Sequence, residues 1–182
     1  MNTSLLSFFK EEIFGLDDDE IETFLDKFQV DSICDSTNKN LEALALLDKS
    51  YSYDDAWRLG RILGAYEKAS IDQYIVAKII TTDLAMKEVY FNFLAGYWDE
   101  AEANLNSAKS LVEFVAGVLP SDEWPLELAT LSIEPIAVVY GNHKSSLMRD
   151  SKFMDSFSVI TNYITTHNIE SPAVELLRKI SE

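Results

Sequence analysis

The chain has 182 residues, and its 31 Asp and Glu against 15 Lys and Arg give a formal charge of −16 at neutral pH. A chain of this length can bury a substantial core, and its 47% apolar and 12% aromatic content is unlike that of disordered chains. The charge disfavours direct binding to nucleic acid or to an anionic membrane, and it favours basic partners.

The single cysteine, Cys34, excludes an intramolecular disulfide and a multi-cysteine metal cluster. Its acidic neighbours make it a poor nucleophile, so we expect a buried structural thiol. The sequence has no long uncharged apolar run that would span a membrane, and its start lacks the pattern of a secretion signal. We therefore expect a cytoplasmic protein in a reducing compartment, without membrane contact.

The first third of the chain predicts four helices, because its apolar residues recur at spacings of three and four. Asp17 and Glu20 have the spacing of a capping box that opens the second of them. Gly60 and Gly64 lie four residues apart on the fourth, where the lack of a side chain would let a neighbouring helix approach closely. The four helices are expected at about residues 4–14, 17–28, 41–47 and 52–69.

The rest of the chain also predicts helices, joined by short connections. We expect a bend near residues 81–83, a break at Gly96, and a kink or a break near Glu134 because Pro135 follows it. Residues 136–140 could alternatively form one short strand, which would have no partner strand. These helices are expected at about residues 71–95, 98–117, 123–140, 146–167 and from 172 onward.

Together these patterns predict an all-α fold. We expect a single-domain helical bundle, or an array of antiparallel helical hairpins, with about seven to nine helices. The domain should comprise residues 1–182, and residues 1–50 could form a looser acidic subdomain at its N-terminus.

Residues 96–108 contain one partial repeat signature. The run Gly96-Tyr97-Trp98-Asp99-Glu100-Ala101, with Leu105 and Ala108 after it, has its glycine, aromatic, Glu-Ala pair and later alanine at the spacing of the second half of a tetratricopeptide repeat. The stretch resembles that repeat over about 13 residues, once, and the preceding residues lack the repeat's Trp, Leu and Gly positions. The same residues suit any helical hairpin with a short loop. The resemblance implies, as an alternative function, a helical scaffold or adaptor that binds a peptide or protein.

No motif indicates catalysis or metal binding. His143 and His167 have no second histidine, cysteine or acid at ligand spacing along a helix. We expect His167 to cap a helix C-terminus and His143 to lie exposed in a turn. The acidic run that begins at Asp17 has Glu22 where a calcium loop needs glycine. We therefore expect no enzyme, no metal and no cofactor, with a helical hydrolase as the third alternative.

The acids are concentrated near the N-terminus, where residues 1–60 hold 14 acids and only 5 bases. One interpretation is that these acids stabilise helix starts and keep the protein hydrated. The other is that they form a contact face with aromatic anchors, since anchors supply binding energy and charges speed association. The predicted face comprises Asp17, Asp18, Asp19, Glu20, Glu22, Asp54 and Asp55, with Tyr51, Tyr53, Tyr97 and Trp98 as exposed anchors.

This pattern favours a protein-binding inhibitor. In charge, size and lack of catalytic motifs the chain is similar to immunity proteins for bacterial toxins and to phage inhibitors that mimic DNA. We expect a bacterial immunity-type protein that neutralises a basic toxin or nuclease by covering its active or nucleic-acid-binding surface. The identity of the partner and the oligomeric state stay open at this point.

Overall fold

The computed structural model describes residues 15–27, 53–66, 71–121 and 123–181. Within these ranges the chain forms eight helices and no strand, which confirms the predicted all-α fold class. The first and third predicted helices lie outside the described residues. The helices are α1 (Asp18–Lys27), α2 (Tyr53–Tyr66), α3 (Asp72–Thr81), α4 (Leu84–Glu100), α5 (Leu105–Val118), α6 (Leu126–Leu147), α7 (Ser151–Thr166) and α8 (Pro172–Ser181).

Helix α4 lies at the centre of this arrangement. It packs against both α2 and α6, and the shorter α3 also lies against it. This position explains why α4 carries apolar residues around most of its circumference, as a helix covered on several sides does. No helix in the described part of the chain has the length and apolar character needed to cross a membrane.

The break predicted at Gly96 is wrong. Helix α4 continues through Gly96 to Glu100, and the connection to α5 falls at residues 101–104. Gly96 is buried against α2, so it serves close packing rather than helix termination. The bend predicted near residues 81–83 is a full break, because Thr82 and Asp83 have extended dihedral angles between α3 and α4.

The alternative of a helix break near Glu134 is also wrong, because α6 continues past this residue. Pro135 lies inside α6, and the non-helical dihedral angles occur instead at His143, with φ −124° and ψ 17°. Pro135 is buried among packed residues of α6, so tertiary packing outweighs the hydrogen bond that proline removes. Residues 136–140, for which a strand was the alternative, belong to the same helix.

Helices α2 and α4 cross with their backbones in contact. Ideal Cβ atoms on Gly60 and Gly64 of α2, or on Gly96 of α4, would lie 2.1–2.4 Å from a carbonyl oxygen of the opposite helix. Any side chain there would force the two backbones apart. The close approach predicted from Gly60 and Gly64 is confirmed. On α4, Gly96 allows the same close contact with the backbone of α2.

A buried carboxylate fixes α3 to the connection between α4 and α5. Asp72 is fully buried and accepts hydrogen bonds from Trp98 Nε1 at 3.1 Å, from the Asn104 backbone N–H at 2.7 Å and from Ser107 Oγ at 3.3 Å. A buried carboxylate is tolerated only with such donors, so these bonds determine where α3, α4 and α5 meet.

Replacing Gly60 by alanine should destabilise the protein by about 3 kcal/mol, because the new methyl group would meet backbone that cannot move independently. The matched control is Gly117→Ala in α5, where nothing lies within 4 Å of the position that a Cβ atom would take. That substitution should leave stability unchanged or raise it by up to about 1 kcal/mol. Urea unfolding followed by circular dichroism measures both, and equal effects would contradict the backbone contact between α2 and α4.

Candidate functional site

The segment from Asp17 into α1, together with α2, α4 and α6, borders a cleft of about 740 Å³. This volume lies within the range of ligand sites in proteins. Four of the described lining residues are carboxylates and one is a cation, so negative charge dominates the concave surface. The described lining residues are Asp17, Asp19, Asp54, Trp57, Arg58, Asn92 and Glu134.

The α1 side of the cleft begins with a capping box. The backbone N–H of Glu20 donates to Asp17 Oδ1 at 2.9 Å, and the backbone N–H of Asp17 donates to Glu20 Oε2 at 3.0 Å. These reciprocal bonds confirm the cap predicted from the sequence and hold the first turn of α1. Asp17 and Asp19 are both exposed at this turn, so their charges face water at the cleft.

The α2 side presents three residues from one helix face. Asp54, Trp57 and Arg58 are neighbours there because residues three and four positions apart lie side by side on a helix. Arg58 Nη1 donates to Asp55 Oδ1 at 3.1 Å. The cation of the cleft is therefore already paired with a carboxylate of its own helix, and it offsets little of the charge on Asp54 and the other lining acids.

Glu134 reaches the cleft from the middle of α6. Burial raises the pKa of Glu134, and the negative charge of Asp99 raises it further. The neighbouring lining residue Asn92 donates its amide N–H to the carbonyl oxygen of Glu88 at 3.0 Å. A cation placed in the cleft would stabilise the charged form of Glu134 and lower its pKa.

A buried arginine lies beside the cleft and joins three helices. Arg61 of α2 is 6% exposed; it donates to Glu22 Oε1 of α1 at 2.7 Å and also to Glu100 of α4. Asp99 Oδ2 lies 3.7 Å from Arg61 Nε, and the guanidinium carbon lies 5.1 Å from the ring centroid of Trp57. Burial disfavours the charge, but Glu22 and Glu100 outweigh burial and raise the pKa of Arg61. Three carboxylates thus share one cation.

The predicted contact acids divide into two groups. Asp54 lines the same cleft as Asp17 and Asp19, although it is distant from them in the sequence. Asp17 also accepts the hydrogen bond of the cap. The other predicted acids with described side chains make contacts within the chain, either in the cap or with an arginine. They are Glu20, Glu22 and Asp55.

The prediction of Tyr97 and Trp98 as exposed anchors is wrong, since they are 2% and 1% exposed. Helix α4 continues past Gly96 between its neighbours, so Trp98 donates to buried Asp72 and Tyr97 stacks on another ring of α4. Tyr51 lies outside the described residues. Asp18 and Tyr53 are described only by their backbone, at the starts of α1 and α2.

Sequence reasoning missed four of the lining residues, and for three of them a signal was present. Trp57 and Arg58 follow Asp54 at the spacing that places them on its face of the helix. Glu134 is an acid inside an otherwise apolar segment, a position that deserved a functional interpretation. Asn92 carries no such signal, because nothing local in the sequence shows that α4 faces this cleft there.

The two histidines behave differently. His167 is the C-cap of α7, and its Nδ1 lies 3.0 Å from the carbonyl oxygen of Tyr163, which confirms the predicted capping role. The prediction of an exposed His143 in a turn is wrong, because His143 lies within α6 and its Nε2 is buried without a hydrogen-bond partner in the described ranges. Across those ranges, no group of three or more His, Cys, Asp or Glu is arranged to hold a metal ion.

The stretch that resembles a tetratricopeptide half-repeat is divided between two helices. Residues 96–100 end α4, and α5 begins only at Leu105, so the second helix does not start at the repeat's position.

No protein family model, no curated protein and no solved structure matches this chain. The function is therefore inferred from the geometry and charge of the acidic cleft.

Glu134→Gln should stabilise the protein increasingly as the pH rises above the ordinary glutamate value of 4.5. The raised pKa means that folded protein holds this proton more tightly than unfolded protein, so ionisation of Glu134 lowers the free energy of unfolding as pH rises. Glutamine does not ionise. Urea midpoints between about pH 4 and pH 7 measure the difference between variant and wild type.

The matched control for this prediction is Glu127→Gln, which removes an exposed glutamate from the first turn of the same helix. Its stability difference from wild type should not grow in the stabilising direction as pH rises. A constant difference for Glu134→Gln across the same pH range would contradict the burial of this carboxyl group.

Proposed function

We propose that this protein is an immunity-type inhibitor, which binds a basic toxin or nuclease and covers its active or nucleic-acid-binding surface. One observation carries the proposal: acids from three distant parts of the sequence line a single cleft. Among the described lining residues the cation is Arg58, and it is already paired with Asp55. The described lining of the cleft therefore has an excess of negative charge, which a cationic group of a partner would neutralise.

Helix stabilisation alone does not account for this arrangement. Asp54 lies in the first turn of α2 and Asp17 precedes α1, where acids interact favourably with the helix dipole. Glu134 lies in the middle of α6 and gains no such benefit. Placing it near other acids opposes folding, so its position is better explained by a ligand of opposite charge.

A lysine or arginine side chain of the partner fits this environment. The carboxylates of Asp17, Asp19 and Asp54 can accept hydrogen bonds from an ammonium or guanidinium group, and charge-assisted bonds are the strongest of their kind. The ring of Trp57 can contact the aliphatic part of such a side chain. The overall charge of −16 would also accelerate the encounter with a basic protein.

A toxin or nuclease that acts on nucleic acid is a suitable partner, because proteins that bind the phosphate backbone do so with lysine and arginine. A surface rich in carboxylates competes for those same side chains. Inhibition would then follow from occupation of the cationic surface and would need no chemical reaction.

Hexa-arginine peptide provides a defined probe of the cleft. Calorimetry should show that the peptide binds the wild type and that its affinity falls by about tenfold or more between about 20 and 200 mM NaCl. Changing Asp17, Asp19 and Asp54 together to asparagine should weaken binding by about tenfold or more at low salt. The matched control neutralises three exposed acids that do not line the cleft, namely Glu123, Asp155 and Glu170.

The control variant carries the same net charge as the cleft variant, so only the position of the lost charges differs. It should bind the peptide within about twofold of wild type. Equal weakening in both variants would contradict the cleft as the binding site. The inhibitory role is tested by co-expression with the product of the adjacent gene, since immunity proteins are usually encoded beside their toxins. Failure of the wild-type protein to protect against growth arrest would contradict the inhibitory role, and protection that survives loss of the cleft acids would contradict the cleft as the binding site.

A further inference from the structure

Two acids of the cleft lie at the start of α1, with Asp17 just before the helix and Asp19 in its first turn, and α1 is joined to α2 by an ion pair. Glu22 of α1 accepts from Arg61 of α2 at 2.7 Å, and the side chain of Ile21 beside it is fully buried. The same helix turn places Asp17 and Asp19 at the cleft. The position of α1 therefore determines how many carboxylates the cleft presents.

The ion pair can break without leaving a buried charge alone. Arg61 is buried, but it also donates to Glu100 and lies 3.7 Å from Asp99. Removing the partner of a buried ion is costly when no other partner remains, and here two remain. The side chain of Glu22 is 64% exposed, so water can replace the arginine as its partner.

Repulsion between acids acts on α1 in the direction opposite to the attraction between Glu22 and Arg61. Asp17 and Asp19 share the cleft with Asp54 of α2 and Glu134 of α6. Like charges on the walls of one cleft repel, and this repulsion favours movement of α1 away from α2 and α6. The ion pair between Glu22 and Arg61 works against that movement.

We propose that the Glu22–Arg61 ion pair is an electrostatic latch, which holds α1 against the repulsion of its own acids and keeps Asp17 and Asp19 at the cleft. A cation bound in the cleft cancels the repulsion and favours the same position of α1 against α2, which we call the closed position. Binding and closure therefore promote each other, as linkage requires. The coupling to a bound cation rests on the proposed function, whereas the latch itself concerns the isolated chain.

Amide hydrogen exchange of the full chain, without any ligand, tests the latch. At about 20 mM NaCl, Glu22→Gln should speed exchange of the α1 amides by about two- to fivefold, as expected for a partly exposed ion pair. Exchange in α5 and α7 should stay unchanged. The matched control is Glu102→Gln, which removes the same charge from an exposed position between α4 and α5.

Salt distinguishes electrostatic release from simple loss of packing. Repulsion across the cleft acts over a longer distance than the ion pair, so about 0.5 M NaCl screens it more strongly. The faster α1 exchange of Glu22→Gln should then return towards the wild-type rate. Exchange that equals wild type at low salt, or faster exchange that salt does not slow, would overturn the latch.

Hexa-arginine separates this proposal from the proposed function. If the peptide binds in the cleft, it should slow α1 exchange in Glu22→Gln more than in wild type, because only the variant has lost its latch. Peptide binding that leaves α1 exchange of the variant unchanged would overturn the coupling. Failure of the peptide to bind the cleft would contradict the proposed function, while the exchange difference without peptide would still support the latch.

Discussion

The arrangement of the helices depends on direct contact between the backbones of α2 and α4. Gly60, Gly64 and Gly96 make this contact, and a Cβ atom at any of them would overlap a carbonyl oxygen of the other helix. Because these three positions carry no side chain, the two helices approach closely and the residues beside the glycines are brought near one another. Arg61 thereby reaches Glu100 of α4.

The charged groups of the candidate site follow from that contact. On α2, Trp57 precedes Gly60 and Arg61 follows it. The guanidinium of Arg61 lies over the ring of Trp57 and forms an ion pair with Glu22 of α1. Glu134 of α6 enters the same region because α4 packs on α6 as well as on α2. The acidic cleft thus results from tertiary packing. The preference for acids at helix starts accounts for only some of its carboxylates.

Much of this could be predicted from sequence. Apolar spacing predicted the all-α class, the capping box at Asp17 is present, and Gly60 with Gly64 indicated a close helix crossing. The prediction failed at Gly96 because a glycine can end a helix or allow close packing, and the sequence alone does not distinguish them.

The same ambiguity explains the error at Tyr97 and Trp98, which would be exposed after a turn but are buried inside a central helix. Three predicted acids do line the cleft, since acids at helix starts are visible in the sequence. Glu134 is not visible in that way, because its role depends on which face of α6 meets α4.

The most direct measurement is the titration of the Glu134 side-chain carboxyl group by carbon NMR, with and without saturating hexa-arginine. A cation seated in the cleft should lower the pKa of Glu134 from its raised value in the free protein, because it stabilises the carboxylate. A pKa that does not change while the peptide is bound would place the peptide elsewhere, and would contradict the cleft as the site for a cationic partner.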